Sequence, residues 1–442
     1  MTPADTTDVS LPSIATAFSI EGDWTLAIAA GRYRAADSVV TVAAAQRLDV
    51  PPAVVMHVVA ERYASLPLLE PTNAPWRRGE RLRHSRAQEV GVQGALAPDT
   101  LRLTSEPTGG TVFVEGRDYA LDLDWGTVGR LEEGRMGEDQ PVYAEYRCGA
   151  PTTSTVYLDR DGVLGVTAAQ TTQTLPVDPV VPGGATRLAT IWLPPRAPRL
   201  TAANLYVITE TAAASAPCIA VSPERAERCL PRSRAKLRAG EPLRILAWGD
   251  SVTDGNYLVG GPTERWQEQL VRRLPPRVRE QVELHTVAWG GRTTKAFLTE
   301  PSGSEYNFRE QVLARKPDLV ISEFVNDCGM SRELWLELYP RVMMEFRAIG
   351  TEWLILTPHY TRPDWMQMAD QRDCDDDPRP YVAWLREFTT QHDLGLGDAS
   401  RLWGRLWRQG IPYRTLLGND INHPDARGLA LYADAILPWL TV

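Results

Sequence analysis

Cysteine is scarce in this sequence. The five residues in 442, Cys148, Cys218, Cys229, Cys328 and Cys374, form no Cys-x-x-Cys pair and no Cys/His cluster at zinc-binding spacing. A structural metal is therefore not expected, and no cofactor is called for. Cys218 and Cys229 are close enough in sequence to bridge, but two unpaired thiols near a domain junction are the expected state. Long apolar runs are also missing: no segment approaches the ~20 residues needed to cross a bilayer, which excludes a membrane span. The start, Met1 to Ser10, lacks the basic and apolar pattern of a secretory leader. The chain is expected to be cytoplasmic as written, or a secreted form without its leader. Nor is there an excess of positive charge. Against 56 Asp and Glu stand 47 Lys and Arg, for a net charge of -9, which disfavours a nucleic-acid partner whose phosphates call for clustered cations.

What is present is ordinary globular text, 43% hydrophobic and 23% charged. At this length two cores are expected, because single cores stop growing near roughly 250 to 300 residues. The two halves differ in pattern. From about Thr100 to Glu210 short alternating runs such as Thr111 to Glu115 and Pro141 to Tyr146 lie between turn signals (Gly116 to Tyr119, Asp124 to Thr127, Arg160 to Gly162), which predicts mostly antiparallel β structure, sandwich-like. Val39 to Leu48 and Val54 to Leu66 fit a short helix or a strand equally well. Pro and Arg text around Leu193 to Leu200, then Ala212 to Pro217, signals the end of the β region. Ser222-Pro223-Glu224 reads as the start of a linker helix running through Leu237, with Ser as cap and Pro in the first turn.

After Gly240 apolar β-type runs alternate with amphipathic stretches. Strands are expected at Arg244 to Trp248, Val282 to Trp289, Asp318 to Phe324, Glu352 to Thr357 and Leu394 to Gly397, with helices between them. This alternation predicts a parallel sheet with crossover helices, a three-layer α/β/α fold like the flavodoxin-type doubly wound sheets. The expected domains are 1–220, mostly β; 221–240, a linker helix; and 241–442, the α/β domain.

Ligands of open parallel sheets bind beyond the C-terminal ends of the strands. There the sequence places Gly249-Asp250-Ser251, Gly290-Gly291-Arg292, Val325-Asn326-Asp327 and, near the end, Asp420-Ile421-Asn422-His423. Taken singly, each has a plain explanation: Ser is a helix cap, Gly-Gly a turn, Asn-Asp a helix start, and a His beside Pro a surface residue. Together they supply what a serine hydrolase needs. Ser251 is the candidate nucleophile, His423 the base, and Asp420 the group that holds its other ring nitrogen. The amides of Ser251 and Gly291 and the side chain of Asn326 are the candidate oxyanion donors.

Gly249-Asp250-Ser251, Gly291, Asn326 and Asp420-x-x-His423 match in order the four blocks of the SGNH (GDSL-like) hydrolase superfamily. The resemblance covers Arg244 to Val442. It implies the same fold and the same five roles for Ser251, Gly291, Asn326, Asp420 and His423. The chain departs from the pattern twice: Thr286 to Trp289 offers no Asn ahead of Gly291, and Phe324 stands where a Gly is usual before x-Asn-Asp. The Gly-x-Ser-x-Gly elbow of the α/β-hydrolases is absent around Ser251.

Substrate contacts are expected from Asp250, Trp248, Trp289, Arg292, His359 and Trp365. Aromatics prevail among these, and Trp rings stack on sugars, whereas long acyl chains call for aliphatic grooves. Glu323-Phe324-x-Asn326-Asp327 and Gly291-Arg292-Thr293 also resemble the carbohydrate-deacetylating branch of the superfamily, which implies an acetylesterase acting on carbohydrate. The alternatives are a lipase, thioesterase or arylesterase of the same superfamily, or a binding or attachment protein whose β half carries the function. The β half is expected to frame substrate, bind carbohydrate or form a homo-oligomer.

Overall fold

The computed structural model describes residues 11–85, 87–171, 179–372 and 376–442. Cys374 lies outside them. Two compact units emerge: Met1–Thr211 with Trp407–Ile421, and Ala212–Leu406 with Asn422–Val442. The second stretch of the first unit, Trp407–Ile421, lies inside the range expected for the α/β domain. Nothing in its composition marks it, because its membership is decided by partners far away in sequence.

The first unit is built of small antiparallel sheets. Val55–Tyr63 and Arg102–Thr104 flank Val142–Gly149, and Thr152–Leu158 pairs with Thr186–Leu193. Both ambiguous early segments are strands, within Ser38–Val42, Gln46–Asp49 and Val55–Tyr63. Thr111 to Glu115 is not a strand and makes only isolated bridges at Val112 and Glu115. The turn at Asp159–Gly162 is as expected: the Asp159 carboxylate accepts from the amides of Asp161 and Val163, and Gly162 takes a φ of 78°. Leu205–Val207 extends the sheet of Thr186–Leu193 past the Pro and Arg text expected to end it.

The second unit holds one five-stranded, all-parallel sheet: β1 (Leu243–Gly249), β2 (Val282–Ala288), β3 (Leu319–Glu323), β4 (Glu352–Leu356) and β5 (Gly395–Gly397), in the order β2-β1-β3-β4-β5. This is the flavodoxin-like order. Side chains alternate across each strand. Ile245, Ala247, Ile321 and Leu354 enter one core with Leu270 of α2 (Trp266–Arg273) and Ile436 of α7 (Ala426–Leu440). Leu246, Trp248, Val320 and Trp353 enter the other with Val342 of α4 (Arg332–Ala348) and Leu385 of α5 (Pro380–Gln391). With both faces covered, the strands read as near-continuous apolar runs. Shorter helices are α1 (Ser251–Asp254), α3 (Thr294–Thr299) and α6 (Ala399–Arg405). The linker region forms two helices, Pro223–Cys229 and Pro231–Ala239, because Pro231 cannot continue the first. Cys218 and Cys229 are not joined by a disulfide. Among the described residues no helix is long and apolar enough to cross a membrane.

Candidate active site

β1 ends at Gly249, a position that tolerates no side chain: a Cβ there would collide with Thr253 Oγ1 and with the carbonyl of Glu323 on β3. The chain then turns sharply into α1. Asp250 is the N-cap, its Oδ1 accepting from the Val252 amide at 3.1 Å. Ser251 therefore occupies the first helical position, half-buried, beyond the end of β1. His423, which precedes α7, places its Nε2 3.0 Å from Ser251 Oγ. A hydroxyl hydrogen-bonded to an imidazole in this way can pass its proton to the ring when the oxygen attacks an electrophile. Tyr257 lies against His423, ring centroids 4.2 Å apart and planes 10° from parallel. No sequence signal pointed to it.

The loops after β2 and β3 close on the same point. A Cβ on Gly290 would come within 3.8 Å of the Ser251 Cβ, which places this loop beside the hydroxyl. Gly291 is exposed with a φ of 74°, in the left-handed region that glycine favours. Asn326 is held at both ends. Its backbone amide donates to Asp250 Oδ2 at 2.9 Å, and its Nδ2 donates to the Arg292 carbonyl at 3.2 Å. Asp327 ties the same turn to α3, accepting from the Thr294 amide at 3.0 Å and the Thr294 hydroxyl at 2.6 Å.

Three carboxyl groups, Asp250, Glu323 and Asp327, are fully buried beneath these loops. Burial raises all three above the ordinary carboxylate range. Asp250 rises to about 7, against the pull of the Asn326 and Val252 amides. Asp327 rises to about 6, and Glu323 well above its ordinary value, with the neighbouring Asp250 adding to the effect of burial.

Asp420 belongs to Trp407–Ile421 of the first unit. It is buried, with a φ of 57°, and Arg414 binds both its oxygens, Nε to Oδ1 at 3.0 Å and Nη2 to Oδ2 at 2.5 Å. This arginine had no signature in the sequence.

The expected substrate contacts divide. Trp248 is fully buried, its ring packed edge-on against Phe324 at 4.9 Å, so it is a core residue. Its place one residue before the strand end aims it into the face of the sheet. The same contact accounts for Phe324, which fills the space that the usual Gly would leave. Asp250 and His359 are likewise buried, engaged by the protein rather than open to a ligand. Trp289 is stacked on Tyr306 at 3.6 Å and capped by the Arg292 guanidinium at 3.2 Å, so both faces of its ring are taken. Arg292 is thereby fixed at the rim, with Glu300 3.9 Å away. Trp365, 46% exposed, lines a cavity of about 550 Å³ together with Asn326, Thr361, Gln367, Arg379 and Asn422.

Residues 247–431 match the model of the GDSL-like Lipase/Acylhydrolase family. No curated protein matches the chain. Among solved structures, the chain is similar to a two-domain esterase, CEX, active on acetylated mannans, at 19% identity and a TM-score of 0.37. That match covers 48% of this chain and 52% of the esterase, about half its length. It is similar to a member of the lipolytic protein G-D-S-L family from Veillonella parvula DSM 2008, at 17% identity and a TM-score of 0.33, over 44% of this chain and 96% of that one. It is also similar to the lipase/acylhydrolase from Enterococcus faecalis, at 19% identity and a TM-score of 0.31, over 44% and 93%. Over residues 247–431, then, the chain is similar to the GDSL-like lipase/acylhydrolase family.

Proposed function

We propose that the protein is a serine esterase that hydrolyses short-chain esters, acetyl groups on carbohydrate in particular, through an acyl-enzyme on Ser251. The observation that carries this reading is the 3.0 Å hydrogen bond between His423 Nε2 and Ser251 Oγ beyond the end of β1. In the first step Ser251 Oγ attacks the acyl carbon while His423 takes the hydroxyl proton. The tetrahedral oxyanion meets the amides of Ser251 and Gly291 and the Asn326 side chain, whose second N–H is not used by the Arg292 carbonyl. His423 then gives its proton to the departing alcohol. Water, deprotonated by His423, attacks the acyl-enzyme and releases the acid, and the proton returns to Ser251. Asp420, three residues before His423 in sequence, is assigned the role of fixing the imidazole tautomer.

The mixed lining of the cavity beside Asn326, with Trp365, Thr361, Gln367 and Arg379, supports a polar, ring-shaped alcohol rather than a long acyl chain. The test is hydrolysis of p-nitrophenyl acetate against p-nitrophenyl octanoate, then acetate release from a panel of acetylated polysaccharides, with Ser251→Ala as control. Turnover confined to acetate, with release from at least one polysaccharide, is the expected result. Preferential octanoate turnover would make the protein a lipase-like acylhydrolase, and no turnover on any ester would leave a binding protein on a hydrolase scaffold.

A further inference from the structure

His359 takes no part in these catalytic steps, yet it is buried to 0% exposure and hydrogen-bonded at every polar atom. Its Nε2 lies 2.7 Å from the carbonyl of Asn422, the residue before His423. A carbonyl only accepts, so the proton sits on Nε2. The other nitrogen, Nδ1, lies 3.0 Å from the Tyr432 hydroxyl, which also accepts the His359 backbone N–H at 2.7 Å. The buried guanidinium of Arg379 donates to the His359 carbonyl at 2.8 Å, and a cation this close opposes a second positive charge on the ring. Burial acts in the same direction, holding the imidazole well below its ordinary pKa. A neutral ring with its proton on Nε2 leaves Nδ1 as an acceptor, so the Tyr432 hydroxyl must donate to it.

That assignment uses the only proton Tyr432 has. The hydroxyl also faces Glu323 Oε1 at 3.4 Å, while Glu323 Oε2 is buried without a donor. An ionised Glu323 would set its oxygen against the lone pairs of that hydroxyl, and burial beside Asp250 raises it well above its ordinary value, so the neutral acid is favoured. The chain of contacts then runs from beneath Asp250, the cap of the nucleophile turn, to the backbone that presents the base.

We propose that His359 is a positioning residue, a neutral Nε2-protonated imidazole that clamps the Asn422 carbonyl and so holds His423 at Ser251, with Tyr432 and a protonated Glu323 fixing its tautomer. The proposal rests on the esterase reading. It assigns to His359 no contact with substrate.

The tautomer is read directly by long-range proton–nitrogen NMR of the full-length protein. The expected spectrum has the His359 proton on Nε2, unchanged from pH 5 to pH 9; a proton on Nδ1, or a ring that titrates in this range, overturns the proposal. Kinetics give the second reading, with p-nitrophenyl acetate. In His359→Leu, kcat is expected to fall about 10²-fold with KM little changed, the scale expected of a misplaced catalytic group. In His359→Gln, whose side-chain amide can donate to the same carbonyl, kcat returns close to the parent value. A folded His359→Leu protein with parental kcat, or loss in the Gln variant equal to that in Leu, sinks the clamp. If His359→Leu does not fold, the tautomer alone decides. An inactive parent protein would count against the esterase reading instead, and leaves the NMR result standing.

Discussion

Asp118 of the first unit and three carboxyl groups beneath the loops of the second are buried in opposite ways. In the first, Asp118 is fully buried but surrounded by cations: Arg135 binds it through Nε at 3.0 Å and Nη2 at 2.6 Å, and Arg117 adds a contact at 3.2 Å. The Arg135 guanidinium, against the cost of burial, holds Asp118 well below the usual carboxylate range. In the second unit Asp250 and Asp327 are buried with amides and hydroxyls as partners, and burial raises them, as it raises Glu323 beside them. Asp118 keeps its charge because cations match it, even as it also accepts from the Val114 and Arg135 amides. Without a cation, Asp250 and Asp327 are held by N–H and O–H donors alone, those of Val252, Asn326 and Thr294 among them. The contrast separates a carboxylate matched by cations from carboxyl groups left to amides and hydroxyls beneath the candidate site.

The sharpest break of this comparison comes from the residues proposed to react. Ser251→Ala should lower kcat for p-nitrophenyl acetate about 10⁶-fold, the scale seen when a triad nucleophile is removed, while thermal melting is little altered. Asp420→Asn should cost about 10⁴-fold if its carboxylate fixes the His423 tautomer; a near-parental rate would reduce Asp420 to a structural partner of Arg414. Asn326→Ala is expected to raise the barrier by about 2.7 to 4 kcal/mol, read in kcat, and parental turnover would remove it from the oxyanion site.

Smaller effects test the protein beneath the site. Gly249→Ala should lower stability by about 1 to 3 kcal/mol in thermal or denaturant unfolding, because the added methyl has no room against Thr253 and the Glu323 carbonyl. The pH dependence should differ in sign between the units. Asp250, at about 7 against an ordinary 3.8, and Asp327, at about 6, bind more protons folded than unfolded across that interval, so stability of the second unit falls as pH rises from about 4 to about 7. Asp118, lowered on folding, adds stability that is present above the ordinary carboxylate range and lost as pH falls below it. Glu323→Gln, which keeps the neutral shape, should flatten the first dependence and leave the second unchanged. An equal slope in parent and variant would show that Glu323 is ionised.

Much of this site was legible because a parallel sheet delivers its strand ends to one edge. The five strands and the four polar blocks could be read from apolar runs and the polar residues at their ends. What escaped depended on partners distant in sequence. Trp248 and His359 looked like crevice residues because each stands near a strand end, but sheet alternation turns the first into the core, and Asn422 and Tyr432 enclose the second. Tyr257 against His423 and Arg414 on Asp420 carry no pattern at all. In the first unit, Thr111 to Glu115 had the alternation of a strand but makes only isolated bridges, since a strand forms only where a neighbour runs alongside.

Because Trp407–Ile421 packs with the first unit, the polypeptide passes from one unit to the other after Thr211, after Leu406 and after Ile421. No single cut releases the second unit intact. A fragment begun near Gly240 would carry Ile421 without Ala87, Val90 and Trp125, the apolar partners that bury it. Such a fragment should be sticky and poorly soluble, and the stretch it leaves bare is the one leading directly into His423. The protein is a discontinuous pair, in which the last thread of the β unit is also the approach to His423.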